Sequence, residues 1–294
     1  VITCRTAIDV EVDPPMIIST GVCGTDNHIL EAKNKVPLLA ILGHEGAGIV
    51  ESVGQGVTTI KSGDKVLMFP LPECRECIYC LHPRGNFCKK ENILSPTGLM
   101  LDGTSRFTCR GKKICHLYGT RPFTEYTVVD EIAVAKIDDT TPVDKVCVIS
   151  CEVPTGFGAV SNTAQVTPDS TCVVFGLLQN FWFSRARALG VTDCLSPNRL
   201  KKPVHEVVME MMGLGADFAF EATGLTETMV EALTSCNVSY GVCVIMELAP
   251  SGSQMLPPGR TLKSSVMGEY KTRDEIPKLL PFEKNQGSIL PWPQ

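Results

Sequence analysis

The sequence predicts an α/β protein in two parts: a β-rich domain over residues 1–165 and a parallel-sheet domain over 166–280, followed by a disordered tail at 281–294. Three observations predict it. Before about residue 165, Gly, Pro and Cys interrupt short β-branched runs. After it, strand-like runs alternate with stretches of helical spacing. The last residues carry three prolines and no periodicity.

In chain order, Gly48-Ile49-Val50-Glu51-Ser52-Val53 and Lys65-Val66-Leu67-Met68-Phe69 read as strands, the second entered through a turn at Ser62-Gly63-Asp64. Thr171-Cys172-Val173-Val174-Phe175 is a continuous apolar run of the kind that a parallel sheet buries on both faces, and it ends at Gly176. Apolar residues at 204, 207, 208 and 211 keep helical spacing. Strand-like runs return at 216–220 and 241–246, with a helix-like stretch at 227–233 between them. Such alternation implies a parallel sheet.

Composition excludes several functions. A net charge of −5 leaves no basic footprint for nucleic acid. No stretch approaches the roughly 20 consecutive apolar residues of a membrane span, and the first residues lack a signal-peptide layout, so a cytosolic protein is expected. Fourteen cysteines, several tightly clustered in a long chain, favour metal binding in a reducing compartment. The scattered ones, among them Cys109, Cys147, Cys172, Cys236 and Cys243, are expected to be small buried hydrophobes.

Cys74, Cys77, Cys80 and Cys88 form a C-x2-C-x2-C-x7-C run in which one loop can wrap a single ion. Four thiolates leave no open coordination position, so the site reads as structural. An iron–sulfur cluster is disfavoured, because the spacing follows neither ferredoxin pattern.

Gly43-His44-Glu45-Gly46-Ala47-Gly48, with Gly54 and Val57 behind it, matches the pattern G-H-E-x2-G-x5-G-x2-V in full. On these residues and the four-cysteine run, the chain resembles the zinc-containing alcohol dehydrogenases of the medium-chain family, of the vertebrate type. The resemblance extends, with gaps, over most of the sequence. It implies a GroES-like catalytic domain, a Rossmann-like cofactor domain, two zincs per chain, NAD, a small alcohol or aldehyde substrate and a possible homodimer.

Residue by residue, it implies a catalytic zinc on Cys23, His44 and Cys151, with the fourth position open to polarise an alcohol into an alkoxide. Glu45 would stand behind the metal, and Asp26 would orient its surroundings. Thr25 and His28 match a proton relay that runs through cofactor ribose. Thr155 would touch nicotinamide, and Gly24 stands where relatives often place a basic residue near cofactor phosphate. The zinc-free quinone reductase branch is disfavoured, since it lacks these seven ligands.

The cofactor half departs from the pattern. A dinucleotide fold runs its first strand into G-x-G-x-x-G and places an acidic residue about 20 residues on. Here only Gly176 of that turn is present, and Leu177-Leu178-Gln179-Asn180-Phe181-Trp182 follows. The segment Ala186 onward resembles what the family places after its second strand, so the first crossover helix and second strand are expected to be missing. The alternative function is therefore a non-catalytic zinc-binding relic that has lost cofactor binding.

Overall fold

The computed structural model describes residues 16–31, 39–90, 97–176, 180–247 and 260–280. The expected tail at 281–294 and the stretch 177–179 that follows Gly176 lie outside the described residues. Chain contacts divide the molecule into two units. The first takes residues up to Pro154 and from Tyr270 onward, and the second takes Thr155–Glu269.

In chain order the first unit holds β1 (Met16–Thr20), α1 (Gly24–Leu30), β2 (Ala40–Ile41), β3 (Gly46–Ile49), β4 (Lys65–Met68), α2 (Ile78–Leu81), β5 (Phe107–Cys109), β6 (Lys112–His116) and β7 (Val134–Lys136). Helix α3 (Glu152–Gly158) begins in the first unit and runs into the second. The second unit continues with β8 (Cys172–Phe175), α4 (Asn180–Ala188), α5 (Val204–Met212), β9 (Phe218–Glu221), α6 (Thr226–Ser235), β10 (Val242–Ile245) and β11 (Thr261–Ser264).

Two sheets build the first unit. β1, β3, β4 and β7 form an antiparallel sheet in that order, with Gly46 opposite Met68 and Val66 opposite Lys136. Val66, Leu67, Met68 and Phe69 are all fully buried, so β4 is core on both of its faces. A three-stranded sheet, in the order β2, β6, β5, lies beside it in sequence. Strand β3 begins two residues before the run read at 48–53 and ends at Ile49, after which the Val50 N–H donates to the backbone carbonyl of Asp64.

The sheet of the second unit is parallel throughout, in the order β11, β10, β9, β8. Helix α6 seals one face with Met229, Ala232 and Leu233, residues at i, i+3 and i+4 that pack with Ala219, Cys243 and Ile245. The predicted runs at 204–211, 216–220, 227–233 and 241–246 fall on α5, β9, α6 and β10. Two expectations need correction. A helix does follow the first strand, since α4 occupies Asn180–Ala188. The exposed strand β8 also shows that an apolar run does not guarantee burial: Cys172 and Val174 are exposed, and Cys172 is thus no buried hydrophobe.

No strand forms between α4 and β9, and β8 pairs directly with β9. The expected absence of a second strand therefore has a visible consequence: among the described residues β8 has a partner on one side only. The structural boundary at Pro154 also stands earlier than residue 165, and residues 270–280 return to the first unit. That return is anchored by polar groups rather than by a periodic pattern. Arg273 donates its backbone N–H to Glu73 (2.7 Å) and its guanidinium to the carbonyls of Glu73 and Val134. Thr272 Oγ1 donates to the carbonyl of Leu71 at 2.9 Å.

Candidate metal centres

The first centre is assembled from three separate parts of the sequence. Cys23 caps α1: its N–H donates to the carboxylate of Asp26 (3.3 Å), and the N–H of Asp26 returns to the carbonyl of Cys23 (3.1 Å). His44 and Glu45 precede β3, and Cys151 follows a 3-10 turn at Val146–Ser150. The ligand atoms of Cys23, His44, Glu45 and Cys151 all lie within 4.8 Å of one another. Two sulfurs bound to one zinc at about 2.3 Å each stand roughly 3.8 Å apart, so the spacing suits a common ion.

Glycine makes this convergence possible. At Gly21 an added Cβ would stand 2.0 Å from a Glu45 carboxylate oxygen. Gly43 has φ +92°, and an added Cβ there would meet the Phe123 ring at 2.7 Å.

Asp26 organises the centre from behind. One of its oxygens accepts from the N–H of Gly43 at 2.8 Å, and the other stands 3.5 Å from His44 Nδ1. A carboxylate in that place is the kind of group that orients a metal-binding imidazole. The electrostatics are those of a site built for a cation. Sharing a proton with Cys151 drives the Cys23 thiol down to about 4, against the opposing effect of burial, and the same bond together with burial drives Cys151 up. Burial works against the His44 imidazolium, but Asp26 and Cys23 outweigh it and lift His44 to about 10. Burial and the neighbouring Glu152 raise Glu45 to about 9, and neither Glu45 oxygen has a hydrogen-bond partner. An orphaned buried carboxylate beside two thiols and an imidazole is the chemistry a divalent cation satisfies.

The remaining predicted residues are placed as follows. Thr25 lies in the first turn of α1, its Oγ1 3.8 Å from Cys23 Sγ. Gly24 opens that helix, and His28 lies half-buried on its next turn. Thr155 is on α3, and Gly176 ends β8. Glu152 is a residue that the sequence reading missed. It is exposed, yet its carboxyl is pushed up by desolvation and by the Cys23 thiolate. Its position next to Cys151 was the available signal.

The second centre gathers Cys74, Cys77, Cys80 and Cys88, whose sulfurs also lie within 4.8 Å of one another. Backbone N–H groups point at them: Cys77 donates to Cys74 (3.3 Å), and Cys80 and Lys89 both donate to Cys77 (3.4 Å). Burial opposes a Cys77 thiolate, yet those donors bring it down to about 6. Burial raises Cys80 to about 12. Lys271 Nζ donates to the carbonyls of Cys80, His82 and Gly85 and so ties the loop to the returning chain. Both donor sets fit zinc, and the second leaves no position for a substrate.

Residues 16–139 match the model of the alcohol dehydrogenase GroES-like domain. Residues 16–139 are thus a domain of the alcohol dehydrogenase GroES-like type. A zinc-binding-domain alcohol dehydrogenase protein from Burkholderia ambifaria is similar to it at 25% identity over 92% of this chain and 81% of that one, with a TM-score of 0.81. Benzyl alcohol dehydrogenase from Acinetobacter calcoaceticus shares the fold at 22% identity, over 95% and 83% of the two chains, with a TM-score of 0.80. A 2R,3R-butanediol dehydrogenase from Bacillus subtilis does so at 21% identity, over 97% and 85%, with a TM-score of 0.65. The matched segment contains the four-cysteine cluster and, of the other cluster, Cys23, His44 and Glu45.

The dinucleotide is a different matter. Doubly wound sheets hold it in the crevice where strand order reverses. In the second unit the order runs β11, β10, β9, β8 and ends there, so among the described residues there is no reversal. The described residues do not complete that crevice. Gly176 supplies one of its elements alone.

Proposed function

We propose that the chain is a zinc-dependent oxidoreductase of the alcohol dehydrogenase type, acting on a primary or secondary alcohol or the corresponding aldehyde or ketone. Cys23, His44 and Cys151 hold the catalytic zinc in this reading, and Cys74, Cys77, Cys80 and Cys88 hold a structural one. The observation that carries it is the convergence of two thiols, an imidazole and an unpartnered carboxylate within 4.8 Å. Zinc held there supplies Lewis acidity toward an alcohol oxygen.

The chain's own residues would do the rest. Asp26 would fix the His44 tautomer, with the proton on Nδ1 and Nε2 left to bind. Glu45 would add a carboxylate to the donor set when the fourth position lacks substrate. Thr25 Oγ1 would accept the alcohol proton and His28 would carry it toward solvent, as the resemblance implies. The vertebrate type, a cytosolic location and a homodimer belong to the same reading.

NAD is the hydride acceptor that the resemblance implies, with Gly176, Thr155, Gly24 and His28 against it. The single-sided β8 favours a second reading, a protein that binds zinc but has lost dinucleotide chemistry. Calorimetric titration of NAD into purified chain of counted zinc content separates the two. Two zincs with saturable NAD binding support the dehydrogenase; two zincs without it leave the zinc-binding relic; no zinc sinks both.

A further inference from the structure

Arg121 is the largest side chain that the first unit buries completely, at 0% exposure. A guanidinium so placed normally faces a carboxylate, because an unpaired interior charge costs several kcal/mol. Among the described residues Arg121 has no such partner. Its guanidinium donates to the carbonyl of Val128, touches Met100 sulfur at 3.4 Å, and lies 4.7 Å from the centre of the Phe107 ring. Its Nε–H meets no acceptor.

The orphaned groups nearby are of the same character. His116, at the end of β6, is 1% exposed and leaves both ring nitrogens without partners. Thr120, at 0% exposure, leaves its hydroxyl without one, although its carbonyl accepts from Thr127. Buried polar groups that lack partners in a native fold mark an ion or ordered water. The local charge decides which. Burial comes first in holding His116 down to about 3, and the charges that add to it are Arg121, Arg106 and Lys113, all positive. Besides burial, only Arg106 bears on Arg121, and Arg106 is already paired with Asp102 at 2.5 Å. Three donors in a uniformly positive interior are suited to a negative guest.

We propose that Arg121, His116 and Thr120 form a buried site for a small inorganic anion of the halide class. The anion takes the Arg121 Nε–H, the Thr120 hydroxyl and one His116 N–H as donors, and it supplies the charge that no side chain there provides. None of these residues belongs to either cysteine centre.

Bromide is the probe. In crystals of the zinc-loaded full chain soaked in sodium bromide, the bromine anomalous signal should show a peak within about 3.5 Å of Arg121 Nε. In solution at constant ionic strength, replacing gluconate by chloride should raise the unfolding temperature saturably, as a ligand of the folded state does. Arg121→Met should abolish that saturable rise. Thr120→Val keeps the cation and should weaken the apparent halide affinity about tenfold, the loss of one hydrogen bond to a charged group. If Arg121→Met does not fold, the bromide map and Thr120→Val still decide. A water that bromide does not replace, no bromine peak beside Arg121, or an unchanged chloride response in Thr120→Val would overturn the proposal.

Discussion

Strands β4 and β8 are built from the same kind of residue and meet opposite fates. Val66, Leu67 and Met68 of β4 are fully buried between β3 and β7, whereas Val174 of β8 is 55% exposed and, among the described residues, has β9 on one side only. An apolar run states what a strand needs, and its neighbours decide whether the need is met. The first unit supplies them, and around that intact sheet it also brings together two metal centres. In the second unit the sheet stops where a doubly wound fold would continue.

The largest expected effect tests whether the first unit depends on its metals. Cys88→Ser removes one ligand of the four-cysteine centre, and structural zinc contributes folding free energy directly, so a loss of more than about 4 kcal/mol is expected. Urea unfolding and metal analysis would read it, and a variant with both zincs and unchanged stability would break the assignment. His44→Ala should instead lower the zinc count from two to one with a smaller change in stability. Asp26→Asn keeps every ligand but loses the carboxylate behind His44, and about a 10- to 100-fold weaker zinc affinity at that centre is expected in competition with a chelator.

The next pair addresses the contrast between strands within one sheet. Val244 of β10 is fully buried and Val174 of β8 is exposed. Val244→Asp should cost more than about 4 kcal/mol, because it buries an unpaired charge, while Val174→Asp should stay within about 0.5 kcal/mol. A large cost at Val174 would mean that something covers β8 in the folded protein. Equal costs at the two positions would remove the difference between β8 and β10.

Much of the metal chemistry was legible because it is local. Cys74, Cys77 and Cys80 are spaced for one loop, and Gly43-His44-Glu45 carries its own glycines. Glu152 was not legible, since nothing in Cys151-Glu152-Val153-Pro154 shows that its carboxyl feels the Cys23 thiolate, which lies far away in sequence. The return of 270–280 to the first unit was equally hidden. It rests on Lys271, Thr272 and Arg273 bonding to backbone carbonyls far away in sequence, which leaves no periodic trace. Scattered cysteines followed no single rule: Cys147, Cys236 and Cys243 are buried thiols, Cys172 is exposed, and Cys109 is disulfide-bonded.

The smallest effect concerns how β4 is entered. Asp64 ends the turn before that strand, almost fully buried, and accepts from Lys136 Nζ at 2.5 Å and from the N–H of Lys61 at 2.9 Å. The Lys136 ammonium, first among the causes, holds its carboxyl below the ordinary 3.8. A depressed carboxyl stabilises the fold above its unfolded value and loses that contribution as pH falls through the folded value. Asp64→Asn should therefore cost stability at pH 7, and the cost should shrink steadily below about pH 4. Lys136 is 44% exposed, so solvent screening keeps the effect under about 1 kcal/mol. Urea unfolding of both proteins across pH 3 to 7 reads the difference. A gap that stayed constant with pH would assign the turn's role to its hydrogen bond with Lys61, and the charge pair would then have no part in seating β4 in the core.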